Sequence, residues 1–249
     1  MNKKITIITA TYNSGHALKQ CIDSVLNQTY KNIEYIIIDN CSTDQTLDIV
    51  RTYEEKISKI ISEPDKGIFD ALNKGIKIAT GDVIGFLHAD DFYANNFVLE
   101  KIMNLFDDSG ADSVYGDLQY VSKLNPDKVI RNWVAGQFSI QKLKKGWMPP
   151  HPSFFVRKKV YSENGYFNLK YSISADYDII LRLFYGARIS TAYLPEVVVK
   201  MRVGGTSNRS IGNIIKKSTE DLKAIRKNRV GGFHTLFLKN IRKIDQFFK

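Results

Sequence analysis

Strand and helix signals alternate through the first 110 residues, and this alternation restricts the fold more than any other feature of the chain. Residues 5–9 and 34–39 are β-branched and apolar runs. Each is followed by Asn/Ser/Thr-rich turn chemistry and an amphipathic stretch, over about 15–27 and 44–56. A strand near 57–62, a helix around 68–79 and a strand ending at His88 repeat the unit. Strands that alternate with helices predict a mostly parallel sheet with helices on both faces. The loops leaving the strand ends, 10–14, 40–43 and 88–91, then share one rim. Ligands of open α/β sheets bind in the crevice at that rim.

From about residue 111 the rhythm changes. Residues 113–115, 118–121 and 129–133 read as shorter strands with a turn over 123–128, as in a small antiparallel addition. Residues 146–152 hold three prolines and Trp147 and are predicted to form a loop laid across a surface. A helix over about 176–185 and strands near 188–193 and 197–202 complete this part.

The net charge of +10 is unevenly placed. Residues 1–199 hold 23 basic and 23 acidic side chains, and residues 200–249 hold 13 basic and 3 acidic ones. A neutral body without a recognisable binding motif argues against a nucleic-acid partner, and the charge points instead to something that docks at the tail. No apolar run approaches the length that spans a bilayer. The first residues, Met1-Asn2-Lys3-Lys4, lead straight into a strand with no signal-peptide pattern, so a cytoplasmic protein is expected. Cys21 and Cys41 form no disulfide framework and no metal-ligand spacing.

The rim loops carry the chemistry. The run Gly81 to Asp91 is a buried strand that ends in two adjacent carboxylates, Asp90 and Asp91. Like charges there call for a counter-charge, and Mg2+ or Mn2+ with a phosphate-bearing substrate supplies one. Asp-Asp after a strand is also a common turn and helix cap. Asp39 ends another strand with a carboxylate able to accept the imide N–H of a uracil, and residues 8–13 supply backbone groups, hydroxyls and the Tyr12 ring. Together these make a nucleoside-diphosphate site.

These residues resemble the inverting glycosyltransferases of family 2, which have the GT-A fold. The resemblance spans roughly residues 4–205. It is carried by Ile8-Thr9-Ala10-Thr11-Tyr12-Asn13, by Ile38 through Asp44, and by Glu63 through Gly75. It continues in the strand ending at Asp90-Asp91, His151-Pro152-Ser153-Phe154-Phe155, Ser174-Ala175-Asp176-Tyr177-Asp178 and Leu181-Arg182-Leu183. It implies a catalytic domain over 1–205, with a nucleotide-sugar half of about 1–110 and an acceptor half of about 111–205, followed by a basic helical tail over 206–249. The implied activity is transfer of a hexose or N-acetylhexosamine from a UDP-sugar to a hydroxyl of a glycan. The implied acceptor is an oligosaccharide on a lipid diphosphate carrier, in bacterial O-antigen or capsule synthesis.

Residue by residue, the resemblance places Thr9, Ala10 and Tyr12 around the uracil and Asp39 at its edge. Lys66 lies by the phosphates or sugar, Asp90 and Asp91 on the metal, and Asp176 at the catalytic base. Departing from the usual Asp or Asn, His88 can bind metal or ribose, or simply hydrogen-bond locally. His151 flanks the acceptor side near the metal, or packs. Trp147 stacks on a sugar or belongs to the core. Asp178 and Arg182 read as structural, and Asp70 and Lys74 as solvated faces.

Residues 233–248 place Phe233, Leu236, Phe237, Ile241, Ile244, Phe247 and Phe248 near one helical face, with Lys239, Arg242, Lys243 and Lys249 around it. Such a helix can lie at the inner face of a membrane, drawn by anionic lipid, or pack on the catalytic domain. Two other functions fit the sequence less well. A nucleotidyltransferase of similar fold needs a basic loop after the first strand, and residues 9–15 contain no Lys or Arg. A non-catalytic nucleic-acid-binding protein is disfavoured by the charge placement.

Overall fold

The computed structural model describes residues 3–204 and 211–242. The alternating half consists of β1 (Ile5–Thr11), α1 (Gly15–Leu26), β2 (Ile33–Asp39), α2 (Thr46–Arg51), β3 (Lys59–Ser62), α3 (Ile68–Ile78) and β4 (Val83–Phe86). The second half contains β5 (Phe92–Tyr93), α4 (Val98–Ser109), β6 (Ser113–Val121), β7 (Val129–Trp133), α5 (Ile140–Lys144) and β8 (Phe154–Arg157). It continues through α6 (Lys158–Asn164), α7 (Ala175–Leu181) and β9 (Thr191–Arg202), and α8 (Ile211–Lys227) and α9 (Phe233–Ile241) follow.

All the strands join one sheet in the order β3-β2-β1-β4-β8-β6-β9-β5, with β7 on β6. The β3-β2-β1-β4 half is parallel, as the alternation predicts. Beyond it the sheet is mixed: β8 is antiparallel to both β4 and β6, whereas β6 and β9 run parallel. The residues of β2 show why the apolar runs are continuous. Ile36 and Ile38 face one core with Leu72 and Ile76 of α3, and Tyr35 and Ile37 face the other with Leu18 of α1 and Leu99 of α4. A strand covered on both faces has no polar side to show in its pattern.

Two of the expected breaks are bulges rather than gaps. Residues 113–121 form a single strand, and so do 191–202. Gly116 pairs with Leu194 and Asp117 with Val197, so Pro195 and Glu196 are looped out of register. Proline has no N–H for the ladder and is tolerated at such a bulge. The helix expected over 176–185 is α7 continued by one π-helical turn, Arg182–Gly186.

The tail helices pack on this body. Ala224, Ile225 and Val230 join the core that contains Tyr177 and Ile180 of α7. The outer helix α9 packs on the body through its polar side, burying Thr235 and Lys239, and leaves Phe233, Phe237 and Ile241 exposed. Lys239, expected on the solvated flank, is an interior residue paired with Asp221. The expected apolar positions Ile244, Phe247 and Phe248, with Lys243 and Lys249, lie outside the described residues.

Candidate active site

The strand register gathers the first part of the site. Thr11 of β1 stands opposite Asp39 of β2, and Asp39 opposite Ser62 of β3. Asp39 is fully buried, and the hydroxyls of Thr11 (2.9 Å), Ser42 (2.5 Å) and Ser62 (2.7 Å) and the Ser42 N–H (2.9 Å) all donate to its carboxylate. An ionised carboxylate offers about four acceptor positions, so Asp39 fastens three strand ends and their loop. Reading a base edge requires one of the serine hydroxyls to yield. Tyr12, one residue beyond β1, is 61% exposed and presents a free ring face at this rim. Thr9 is corrected: its hydroxyl faces inward, 3.1 Å from the Tyr35 hydroxyl, because alternate residues of a strand face opposite sides. Ala10 points to the other side and packs partly against the core beneath α3.

Beyond β4 the chain presents His88, Asp90 and Asp91. Asp90 is half exposed, with His16 of α1 at 3.8 Å from its Oδ1. Asp91 is a second correction. It is 2% exposed, and burial together with the neighbouring Asp90 charge drives its carboxyl well above the usual carboxylate range. Its place is behind the rim rather than on a metal. Burial, with His151 adding to it, brings His88 down to about 4, so the imidazole is neutral at neutral pH. Its buried Nδ1 has no hydrogen-bond partner. His151 is 6% exposed, brought down to about 4 by burial, and stacked on Phe86 at 5.4 Å between centroids and on His88 at 6.1 Å.

Among the described residues, no three His, Cys, Asp or Glu side chains are placed to hold a metal by themselves. One open carboxylate beside a neutral imidazole with a free Nδ1 nevertheless fits Mn2+ or Mg2+ whose other ligands are phosphate oxygens or water. Arg202, on β9, braces this corner by donating to the Asp90 carbonyl and to Gln20 Oε1. Neither Arg202 nor His16 was signalled by the sequence, since no spacing connects β9 or α1 with residue 90.

Asp176 stands in the first turn of α7, partly buried, and accepts from the Tyr177 N–H at 2.8 Å. Burial raises its carboxyl above the ordinary range; Lys239 pulls it back and Asp221 adds to the rise. Asp176 and Asp90 both favour the protonated imidazole of His88, an effect that burial outweighs. Asp178, by contrast, is fully buried and held by Asn228 (3.0 Å), Lys227 (3.5 Å) and Arg182 (4.0 Å). Arg182 also donates to the Asn164 and Tyr166 carbonyls, so both residues are structural.

Lys66 is exposed in the loop before α3, whose backbone is tied by Asp70 to the Lys66 N–H (3.0 Å) and by Asp65 to the Gly67 N–H (2.7 Å). Lys74 is occupied by Glu63 at 2.8 Å. Trp147 is the third correction. It is 6% exposed, its indole N–H donates to the Ala135 carbonyl at 2.8 Å, and its ring packs among Tyr115, Phe138 and Phe184. It is a core residue with no face free for a sugar.

A parallel β3-β2-β1-β4 half continued by a mixed sheet, with an open carboxylate past β4, is the architecture of a glycosyltransferase of the GT-A fold. The chain belongs to glycosyl transferase family 2, whose family model matches residues 6–165. It is similar to the PGL/p-HBAD biosynthesis glycosyltransferase of Mycobacterium bovis, with 31% identity over 212 residues covering 82% of this chain and 78% of that protein. Its fold is similar to that of S. aureus TarS in complex with UDP-GlcNAc: TM-score 0.73, 18% identity, covering 91% of this chain and 66% of that one. The mannosyltransferase PcManGT from Pyrobaculum calidifontis, in complex with GDP-Man and Mn2+, matches with TM-score 0.65 and 16% identity over 91% of this chain and 64% of that one.

Proposed function

We propose that this enzyme is a divalent-metal-dependent inverting transferase that moves a sugar from a UDP-sugar to a hydroxyl of a glycan acceptor. The observation that carries this reading is the open carboxylate of Asp90 past β4, two residues after a neutral His88 whose buried Nδ1 has no partner, together with the proton-attracting carboxyl of Asp176 at the start of α7. Asp90 and His88 would hold the metal, and a bound dication would supply charge neutralisation for the departing diphosphate. Asp176 accepts the proton of the attacking hydroxyl, and burial suits it to that task by raising its affinity for a proton. Tyr12 stacks on the base, and Asp39 reads its imide edge once Ser42 or Ser62 turns away. His151 closes the wall behind His88. The UDP-GlcNAc and GDP-Man bound by the two structural neighbours support a nucleoside-diphosphate donor, and the Mn2+ of the second supports the metal.

The acceptor we propose is a glycan on a lipid diphosphate carrier, as in bacterial O-antigen or capsule synthesis, met by an enzyme lying peripherally on the inner membrane. No described helix is long and apolar enough to cross a membrane. Support comes from the exposed Phe233, Phe237 and Ile241 on α9, at helical spacing within the most basic part of the chain.

A screen of nucleotide sugars for hydrolysis and for thermal stabilisation, with Mn2+ and with EDTA, tests the reading. A UDP-sugar should stabilise the protein only with metal, and Asp90→Asn should remove that dependence. Stabilisation unaffected by EDTA, or unchanged metal dependence in Asp90→Asn, overturns the metal assignment.

A further inference from the structure

The helix α8 carries a basic stripe that the catalytic site does not use. Lys216, Thr219, Lys223 and Lys227 recur at three- and four-residue steps, the spacing of one helical face. With Asn168, Lys170, Tyr171 and Glu220 they line a cleft of about 800 Å3 between α8 and the segment leading into α7.

Charges in this cleft do not balance. Glu220, the single carboxylate of the lining, is turned to a structural task. It accepts from the Ser172 N–H (3.1 Å) and hydroxyl (2.9 Å), the Ile173 N–H (2.8 Å) and the Ser174 N–H (3.0 Å). Against the cost of burial, those bonds hold its carboxyl below the usual range. Lys227 leans toward Asp178 at 3.5 Å and lies 5.7 Å from the centre of the Tyr171 ring. Lys170, Lys216 and Lys223 pair with no carboxylate among the described residues. Isolated surface lysines are ordinary. Three unpaired ammoniums around one concavity repel one another, and an anion relieves that repulsion.

The size and spacing say which anion. Along the helix axis Lys216 and Lys223 are roughly 10 Å apart and Lys223 and Lys227 roughly 6 Å, from a rise of about 1.5 Å per residue. Flexible lysine stems can bring two of these ammoniums onto neighbouring phosphates, while one phosphate leaves the others unanswered. The cleft is open to solvent, which leaves room for a group esterified to the phosphates to extend out of it. Tyr171 adds a hydroxyl and Asn168 an amide, whereas the Thr219 hydroxyl donates to the Ile215 carbonyl at 3.0 Å.

We infer that the α7–α8 cleft binds a diphosphate ester and that, in the reaction proposed above, it holds the charged end of the acceptor while its sugar reaches Asp176. The cleft and the base share a wall, because Glu220 holds Ser172–Ser174, the turn that delivers Asp176 into α7. This assignment rests on the reading of an acceptor carried by diphosphate.

The test uses the full chain in metal-free buffer, with inorganic pyrophosphate and geranyl diphosphate as calorimetric probes. Phosphatidylglycerol vesicles against phosphatidylcholine vesicles form a second arm. Lys216→Gln/Lys223→Gln is the variant; Lys227 is left in place because it neutralises buried Asp178. Both diphosphate probes should bind the wild type, and the double variant should weaken them at least tenfold while keeping its melting temperature and its Mn2+-dependent UDP binding. Diphosphate binding indifferent to the two lysines overturns the site. Loss confined to the phosphatidylglycerol vesicles also overturns it, since the cleft then takes a membrane headgroup. If the lysines control diphosphate binding but no UDP-sugar is turned over, the donor reading falls and the cleft stands. If a UDP-sugar is turned over and the lysines are irrelevant, the cleft alone falls.

Discussion

Lys239 Nζ lies 2.5 Å from Asp221 Oδ2, with the two side chains 6% and 2% exposed, so an ion pair sealed from water fastens α9 to α8. The same ammonium sits 3.5 Å from the centre of the Tyr177 ring, next to the proposed base Asp176. The C-terminal helices are therefore part of the wall behind the active site rather than a separate appendage.

Substituting Lys239→Met leaves the Asp221 carboxylate buried without its partner. Breaking one side of a buried pair costs about 3–5 kcal/mol, so the urea midpoint should fall sharply. Lys239→Met/Asp221→Leu, which removes both charges, should recover much of that loss. A single variant as stable as the wild type would show that the pair does not form in solution.

Asp176→Asn separates chemistry from folding. Turnover should fall by roughly 10²–10⁴-fold, the usual contribution of a general base, while UDP binding stays near wild type. The raised carboxyl also fixes two pH trends. Only the ionised form accepts a proton, so kcat/KM should drop as pH falls through a value above the ordinary carboxylate range. For stability the sign is opposite: the folded state holds this proton more tightly than the unfolded chain. Stability from this group is thus present at low pH and lost as pH rises from the unfolded pKa through the folded one. Asp176→Asn should remove that loss, and its melting temperature at neutral pH should equal or exceed the wild type's. A variant that is both destabilised and unable to bind UDP would make Asp176 a structural or donor-binding residue.

Trp147→Phe tests whether this residue serves the core or the acceptor. The change leaves the Ala135 carbonyl without its buried donor, a cost of about 1–3 kcal/mol, and vacates part of the space among Tyr115, Phe138 and Phe184. Denaturation midpoints should fall by that order, with KM for the acceptor unchanged at a temperature where the variant is folded. A raised acceptor KM at full stability would restore the stacking role.

The parallel half of the fold was legible because its strands are short continuous apolar runs with cap and turn chemistry between them. The elements after β4 were harder. The strand β8 enters the sheet between β4 and β6, a neighbourhood decided by long-range pairing. The broken appearance of β9 came from Pro195, which the structure accommodates in a bulge. Helix α4 was readable in principle, with buried Val98, Leu99, Ile102, Met103 and Phe106 at helical spacing and Gly110 left-handed at its end. In the site, Asp39, Asp90 and Asp176 follow from strand ends and the family resemblance. The partners around them, Ser62 on Asp39, His16 on Asp90 and Lys239 near Asp176, are brought in by the fold. A helical wheel likewise shows that α9 has two faces but not which one meets the protein; the buried charge of Asp221 decides that.

Because α9 is held to the protein through Lys239 and Thr235, membrane contact is tested on its exposed face alone. Deleting residues 233–249 would remove Lys239 and the bond from Thr235 to the Lys144 carbonyl, 2.9 Å, along with the apolar stripe. Phe233→Ser/Phe237→Ser acts on the exposed face, since these rings are 66% and 62% exposed; it gives up the stacking of Arg226 on Phe233 (5.0 Å), and the buried pair remains. Two rings entering the interface contribute on the order of 1.5–3 kcal/mol each when fully buried. Even partial insertion predicts at least a tenfold loss of partitioning onto anionic vesicles. Attraction of the surrounding Lys and Arg fades with ionic strength, whereas the contribution of the rings does not. The wild type should therefore retain salt-resistant vesicle binding that the double variant lacks, with melting temperature and UDP binding unchanged in both. If the two proteins bind vesicles equally at high salt, the exposed stripe does not enter a membrane and the peripheral location is withdrawn.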